Sequence, residues 1–165
     1  MLMYWKLIAL AVLLGIGIII HMVGIFSPWW TYRKKLVRVA GDDDEYDHWG
    51  VTTFGALPVS GQFAAILLDV SLIAYLAVLG VLGFIWWQVS NNGYTQFIRK
   101  MFFGFLGCSG TIIGTTILAT ISFAIAKDSN MSMGSSMWFC LVGGVFFNGA
   151  ACGLAAYVTF CETFT

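Results

Sequence analysis

Residues 5–30 read WKLIALAVLLGIGIIIHMVGIFSPWW. A single lysine near the front is followed by an apolar run that is interrupted only by His21 and closed by Ser27, Pro28 and two tryptophans. A hydrocarbon core of about 30 Å needs about 20 apolar residues in a helix, and residues 5–26 meet that length. A lysine before an apolar run is also how a signal peptide begins. No small-x-small cleavage site follows here, so the stretch is expected to be a retained span.

Three more such blocks follow, at 63–87, 102–126 and 138–160, joined by a long connection (27–62) and two short ones (88–101 and 127–137). Hydrophobic residues make up 59% of the chain and charged residues 10%, with mean hydropathy +0.87. Soluble domains carry about a quarter charged residues. The expectation is therefore one membrane domain over residues 1–165. It is an all-α protein, a four-transmembrane-helix bundle with a small β-rich loop between spans one and two. Trp5, Trp86 and Trp87 fall at one predicted membrane face, and Trp29, Trp30 and Trp138 at the other, where indole rings meet the headgroups. A net charge of zero gives no reason to expect nucleic acid as a partner.

The long connection reads WWTYRKKLVRVAGDDDEYDHWGVTTFGAL from Trp29. Trp30, Tyr32, residues 36–39 and residues 49–54 are rich in β-branched and aromatic side chains, which predicts two or three short strands around an acidic turn. The acidic run at 42–45 lacks the alternating ligands and central glycine of a calcium loop, so no metal is expected. Cys108, Cys140, Cys152 and Cys161 all lie in or beside spans three and four, with no CxxC pattern, and no redox centre or cofactor is expected. Cys161, at the end of the last span, is a candidate for reversible acylation. There is no nucleophile–base arrangement and no phosphate-cradling loop; the chain does not read as an enzyme.

Two groups of residues within the spans stand out. His21 lies five residues before the end of span one and Asp69 six residues into span two. Helical rise puts both at about the same depth below one face, so they are expected to form an intramembrane polar pair. Gly110 with Gly114, and Gly149 with Gly153, are GxxxG pairs on spans three and four. In lipid such faces allow close backbone approach, within the bundle or against a partner.

In layout the chain resembles the claudin-like four-span superfamily, which includes claudins, peripheral myelin proteins, calcium-channel gamma subunits and amastins. The resemblance rests on four spans, a long first loop, and two local matches. Pro28, Trp29 and Trp30 are similar to the family's exit from span one, and Trp49, Gly50 and Val51 to its W…GLW motif. The pair of loop cysteines that commonly follows that motif is absent. The resemblance implies that Trp30, Trp49 and Gly50 anchor the loop to the bundle. It also implies a plasma-membrane protein with cytoplasmic termini. The basic residues alone favour the reverse orientation: Arg33, Lys34, Lys35, Arg38 and Lys127 lie on the loop side, and Lys6, Arg99 and Lys100 on the other. The implied role is non-enzymatic lateral association in lipid, as an accessory subunit of a larger integral membrane protein. The competing expectations are a self-assembling junction or adhesion protein, and a small oligomeric channel or carrier using His21 and Asp69.

Overall fold

The computed structural model describes residues 2–34, 46–49, 59–126 and 132–161. The acidic run at 42–45, Gly50, and the predicted strand segments at 36–39 and 51–54 lie outside these residues.

Four helical spans are present, each long and apolar enough to cross a membrane. The first is α1 (Leu2–Phe26), followed by α2 (Val59–Asn92) and α3 (Gln96–Ala126). The fourth is built from α4 (Ser135–Leu141), a π-helical segment (Val142–Phe147) and α5 (Asn148–Cys161). The short connection expected at 88–101 shrinks to residues 93–95. Gly93 takes the left-handed conformation (φ 69°) and its N–H bonds the Val89 carbonyl, closing α2. The Thr95 carbonyl then accepts from Ile98 and Arg99 to open α3. At 34 residues α2 is about 51 Å long, well beyond a 30 Å core, so the α2–α3 hairpin overruns the hydrocarbon. Apolar length marks the membrane-crossing part of such a helix and misses its polar ends.

The loop strands are β1 (Thr31–Lys34) and β2 (Tyr46–Trp49), antiparallel, with Thr31 opposite Trp49 and Arg33 opposite Asp47. A third strand, β3 (Ser132–Met133), arrives from the connection before α4 and pairs with β1, giving the order β2-β1-β3. The sheet is thus shared between the two connections on that side, where the sequence pattern had suggested strands from the long one alone.

Two apolar clusters fill the interior. One, toward the α2–α3 turn, includes Leu10, Leu82, Ile85, Phe102 and Phe105. The other, toward the sheet, includes Ile25, Trp30, Leu68, Phe123 and Cys140. Between them lies a small group of buried polar side chains.

Candidate functional site

Close contact between α1 and the fourth span depends on glycine. A β-carbon on Gly24 would lie 2.5 Å from Cys140 Sγ and 2.6 Å from the Cys140 nitrogen. One on Gly143 would meet the Gly17 carbonyl and the His21 nitrogen, each at 2.6 Å. The wider π turn buries Gly143 and its neighbour Gly144 together, one against α1 and the other against Thr116 of α3. Tyr75 of α2 reaches into the same place, donating its hydroxyl to the Gly143 carbonyl at 2.6 Å.

His21 sits here, fully buried. Its Nε2 is 2.6 Å from Ser71 Oγ on α2, and its Nδ1 is 3.2 Å from the Cys140 carbonyl on α4. Ser71 Oγ also lies 2.7 Å from the Leu68 carbonyl, to which it can donate. The Tyr75 ring packs against the imidazole at 5.4 Å between centroids. The expected His21–Asp69 pair is not formed. Ser71 is the partner, and Asp69 is exposed on the outside of the bundle. Two residues along a helix correspond to about 200° of rotation, so equal depth does not mean the same face.

Toward the sheet, Trp30 is buried, with its ring 4.9 Å from Phe123 of α3. Its indole N–H donates to the Gly24 carbonyl at 2.8 Å, so the chain leaving α1 folds back on its own last turn. The Trp30 carbonyl accepts from Gly134 N–H at 2.8 Å, and the Trp29 carbonyl from Ser136 N–H at 3.1 Å. Trp49 lies in β2 opposite Thr31, and Gly50 is outside the described residues.

The GxxxG glycines lie elsewhere. A β-carbon on Gly104, Gly107, Gly110 or Gly114 of α3, or on Gly149 or Gly153 of α5, would meet no atom within 4 Å. They therefore line open surface; Gly17, Gly24, Gly143 and Gly144, by contrast, are buried against neighbouring helices. On α3, positions 103, 107, 110 and 114 form one helical stripe. Phe103 packs edge-on against Phe160 of α5 at 5.8 Å, which sets that stripe beside the glycines of α5. Behind it, Asn148 donates from Nδ2 to the Ser109 carbonyl at 2.8 Å and ties α5 to α3. Cys161 is exposed at the end of α5.

Sequence reasoning missed Ser71, Tyr75, Gly17 and Gly24. The glycines of span one carried a signal in their spacing, Gly17 and Gly24 being two turns apart on one face. Nothing in the sequence distinguishes Ser71 from Ser109 or Ser136.

No curated protein matches the chain. A family model described as tight junction protein, claudin-like, matches residues 3–164, nearly the whole length. With four apolar spans and a strand-forming segment between the first two, the chain belongs to the claudin-like family.

Proposed function

We propose that this protein is a non-enzymatic membrane component that works by lateral association, as an accessory subunit of a larger integral membrane complex. The observation that carries this reading is the unfilled glycine surface of α3 and α5. Glycine within a helix interior costs about 0.5–1 kcal/mol relative to alanine. Six of them facing outward on two neighbouring helices give the bundle no packing in return, whereas an incoming helix can approach the exposed backbone closely. Asp69 adds to the case. An outward carboxylate in a span favours a partner that brings a cation or a hydrogen-bond donor to it.

Self-assembly is the second reading, favoured by the family description, which names a tight junction protein. Transport through one subunit has less support. His21 of α1 meets the inner face of α2 while Asp69 lies on its outer face, and the half of the bundle toward the α2–α3 turn is filled by Leu10, Leu82, Phe102 and Phe105. On this reading the protein sits in the plasma membrane with cytoplasmic termini.

The test is gentle-detergent purification from native cells with native mass analysis, alongside Gly110→Leu and Asp69→Leu variants. A larger membrane protein that co-purifies with the native chain and is lost from both variants is the expected result. A homo-oligomer broken by Gly110→Leu would favour self-assembly instead. A monomer unaffected by either change would reject association through this face.

A further inference from the structure

On the side of the termini the described charges are all cations: Lys6, Arg99 and Lys100. The described acids, Asp47 in β2 and Asp69 toward the start of α2, both belong to the sheet side. Lys6 is held over the Tyr157 ring of α5. Arg99 is placed differently. It is half-buried, its Nε is buried without a hydrogen-bond partner, and no ion pair reaches its guanidinium among the described residues. One turn earlier on the same face, the Thr95 hydroxyl is also buried and without a partner. A neutral hydroxyl can take one N–H of a guanidinium, but it leaves the charge and the other donors unanswered.

Ring contacts give the depth of this cation. Phe97 of α3 packs edge-on against Phe84 of α2 at 6.3 Å, and Phe84 meets Trp87 at 5.7 Å. Phe97 is therefore level with the tryptophan pair or just inside it, and Arg99 lies about 3 Å further along α3. Tryptophans mark the headgroup layer, so Arg99 and Lys100 enter its inner edge, where lipid phosphates are the abundant acceptors.

We propose that Arg99 and Lys100 form a binding site for the headgroup of an anionic phospholipid. A guanidinium presents parallel donors to two phosphate oxygens, and the exposed Lys100 adds a point charge beside it. At about 100° per residue, Phe103 projects between the two cations, about 40° from Arg99 and 60° from Lys100, and one turn deeper. Phe103 is exposed and packs edge-on against Phe160 of α5, which gives the first part of an acyl chain an apolar surface below the headgroup. Net charge makes the choice among lipids. Two cations without a described acid nearby answer a negative headgroup, whereas the ammonium of a zwitterionic one meets only like charge. The glycines at 107–114 lie deeper along α3, so the headgroup site is separate from the face assigned to a partner helix.

The test is native mass spectrometry of the full-length protein in mild detergent, titrated with phosphatidylserine or with phosphatidylcholine of the same chains. One phosphatidylserine per protomer should be retained at a concentration about tenfold below that needed for phosphatidylcholine. Arg99→Gln and Lys100→Gln should each weaken that retention about fivefold, the usual effect of one cation at an anionic surface. Lys100 is exposed, so its variant keeps the test valid if Arg99→Gln fails to fold. Lys6→Gln removes a cation from the same layer and should leave retention unchanged. Because the readout is lipid on the purified protomer, it does not depend on any protein that co-purifies. Equal retention of the two lipids, or an equal loss with Lys6→Gln, would reduce the site to a general surface charge and overturn it. Displacement of the lipid by millimolar inorganic phosphate would leave an adventitious anion site only. Selective retention that appears only with Glu162→Gln would assign the two cations to the chain's own carboxylate instead.

Discussion

Gly24 and Gly110 are chemically the same and physically opposite. A methyl group on Gly24 would overlap the Cys140 backbone, whereas on Gly110 it would meet nothing. Gly24→Ala is therefore expected to destabilise the protein by about 1–3 kcal/mol, the usual cost of overpacking a filled contact. Gly110→Ala should be neutral or slightly stabilising for the isolated protomer, since alanine is the better helix former. Unfolding in mixed micelles of increasing SDS fraction measures both; equal effects would contradict the packing described. His21 and Asp69 give a parallel lesson. Their depth was readable because rise per residue is fixed. Their facing was not, because it depends on how α1 and α2 are turned against each other. That angle rests on long-range packing, such as Gly17 of α1 against the Tyr75 hydroxyl of α2.

Among the elements, the α2–α3 hairpin and the π segment invite separate tests. Tyr94, in the turn after Asn92, is buried, and burial, followed by the nearby Tyr4 phenol, pushes its hydroxyl from 10.0 up to about 12. A raised value means the fold favours the neutral phenol. Its contribution to stability is therefore complete below about pH 10 and is lost as pH rises from there through about 12. Tyr94→Phe should remove that part of the alkaline loss, read as the difference between the stability–pH curves of native and variant protein. In the fourth span, Tyr75→Phe deletes the one bond that α2 makes to the Gly143 carbonyl among the described contacts. The expected cost is about 1 kcal/mol, in the range measured for hydrogen bonds between membrane helices. Faster hydrogen exchange should be confined to Val142–Phe147; a general rise along α5 would mean the bond does not hold the π turn locally. The four spans were readable from apolar length. The π turn was not, because one extra residue in a helix changes hydrogen-bond register without changing composition. Nor was β3, a two-residue strand whose only reason to extend is the edge of β1 that it covers.

For the whole molecule, the question is how the bundle is set in the bilayer. Tyr4 of α1 packs against Trp86 of α2 at 6.4 Å, which levels the start of α1 with the tryptophan pair Trp86–Trp87. Six residues of α2 lie beyond Trp86, a helical extension of about 9 Å. Arg99 and Lys100 return along α3 through that same layer, and Lys6 lies over the Tyr157 ring at 4.9 Å nearby. The tip of the hairpin therefore stands in water on the side of the termini, whichever compartment that is. On the proposed orientation the compartment is the cytoplasm, against the simple count of basic residues. A cysteine placed at Asn91, on the exposed last turn of α2, in a background with Cys161 replaced by serine, tests this directly. A membrane-impermeant maleimide should fail to label intact cells and should label the protein fully once the plasma membrane is permeabilised. Labelling of intact cells would invert the molecule and place the sheet and the His21 side of the bundle in the cytoplasm. The sheet would then be unable to meet a partner outside the cell.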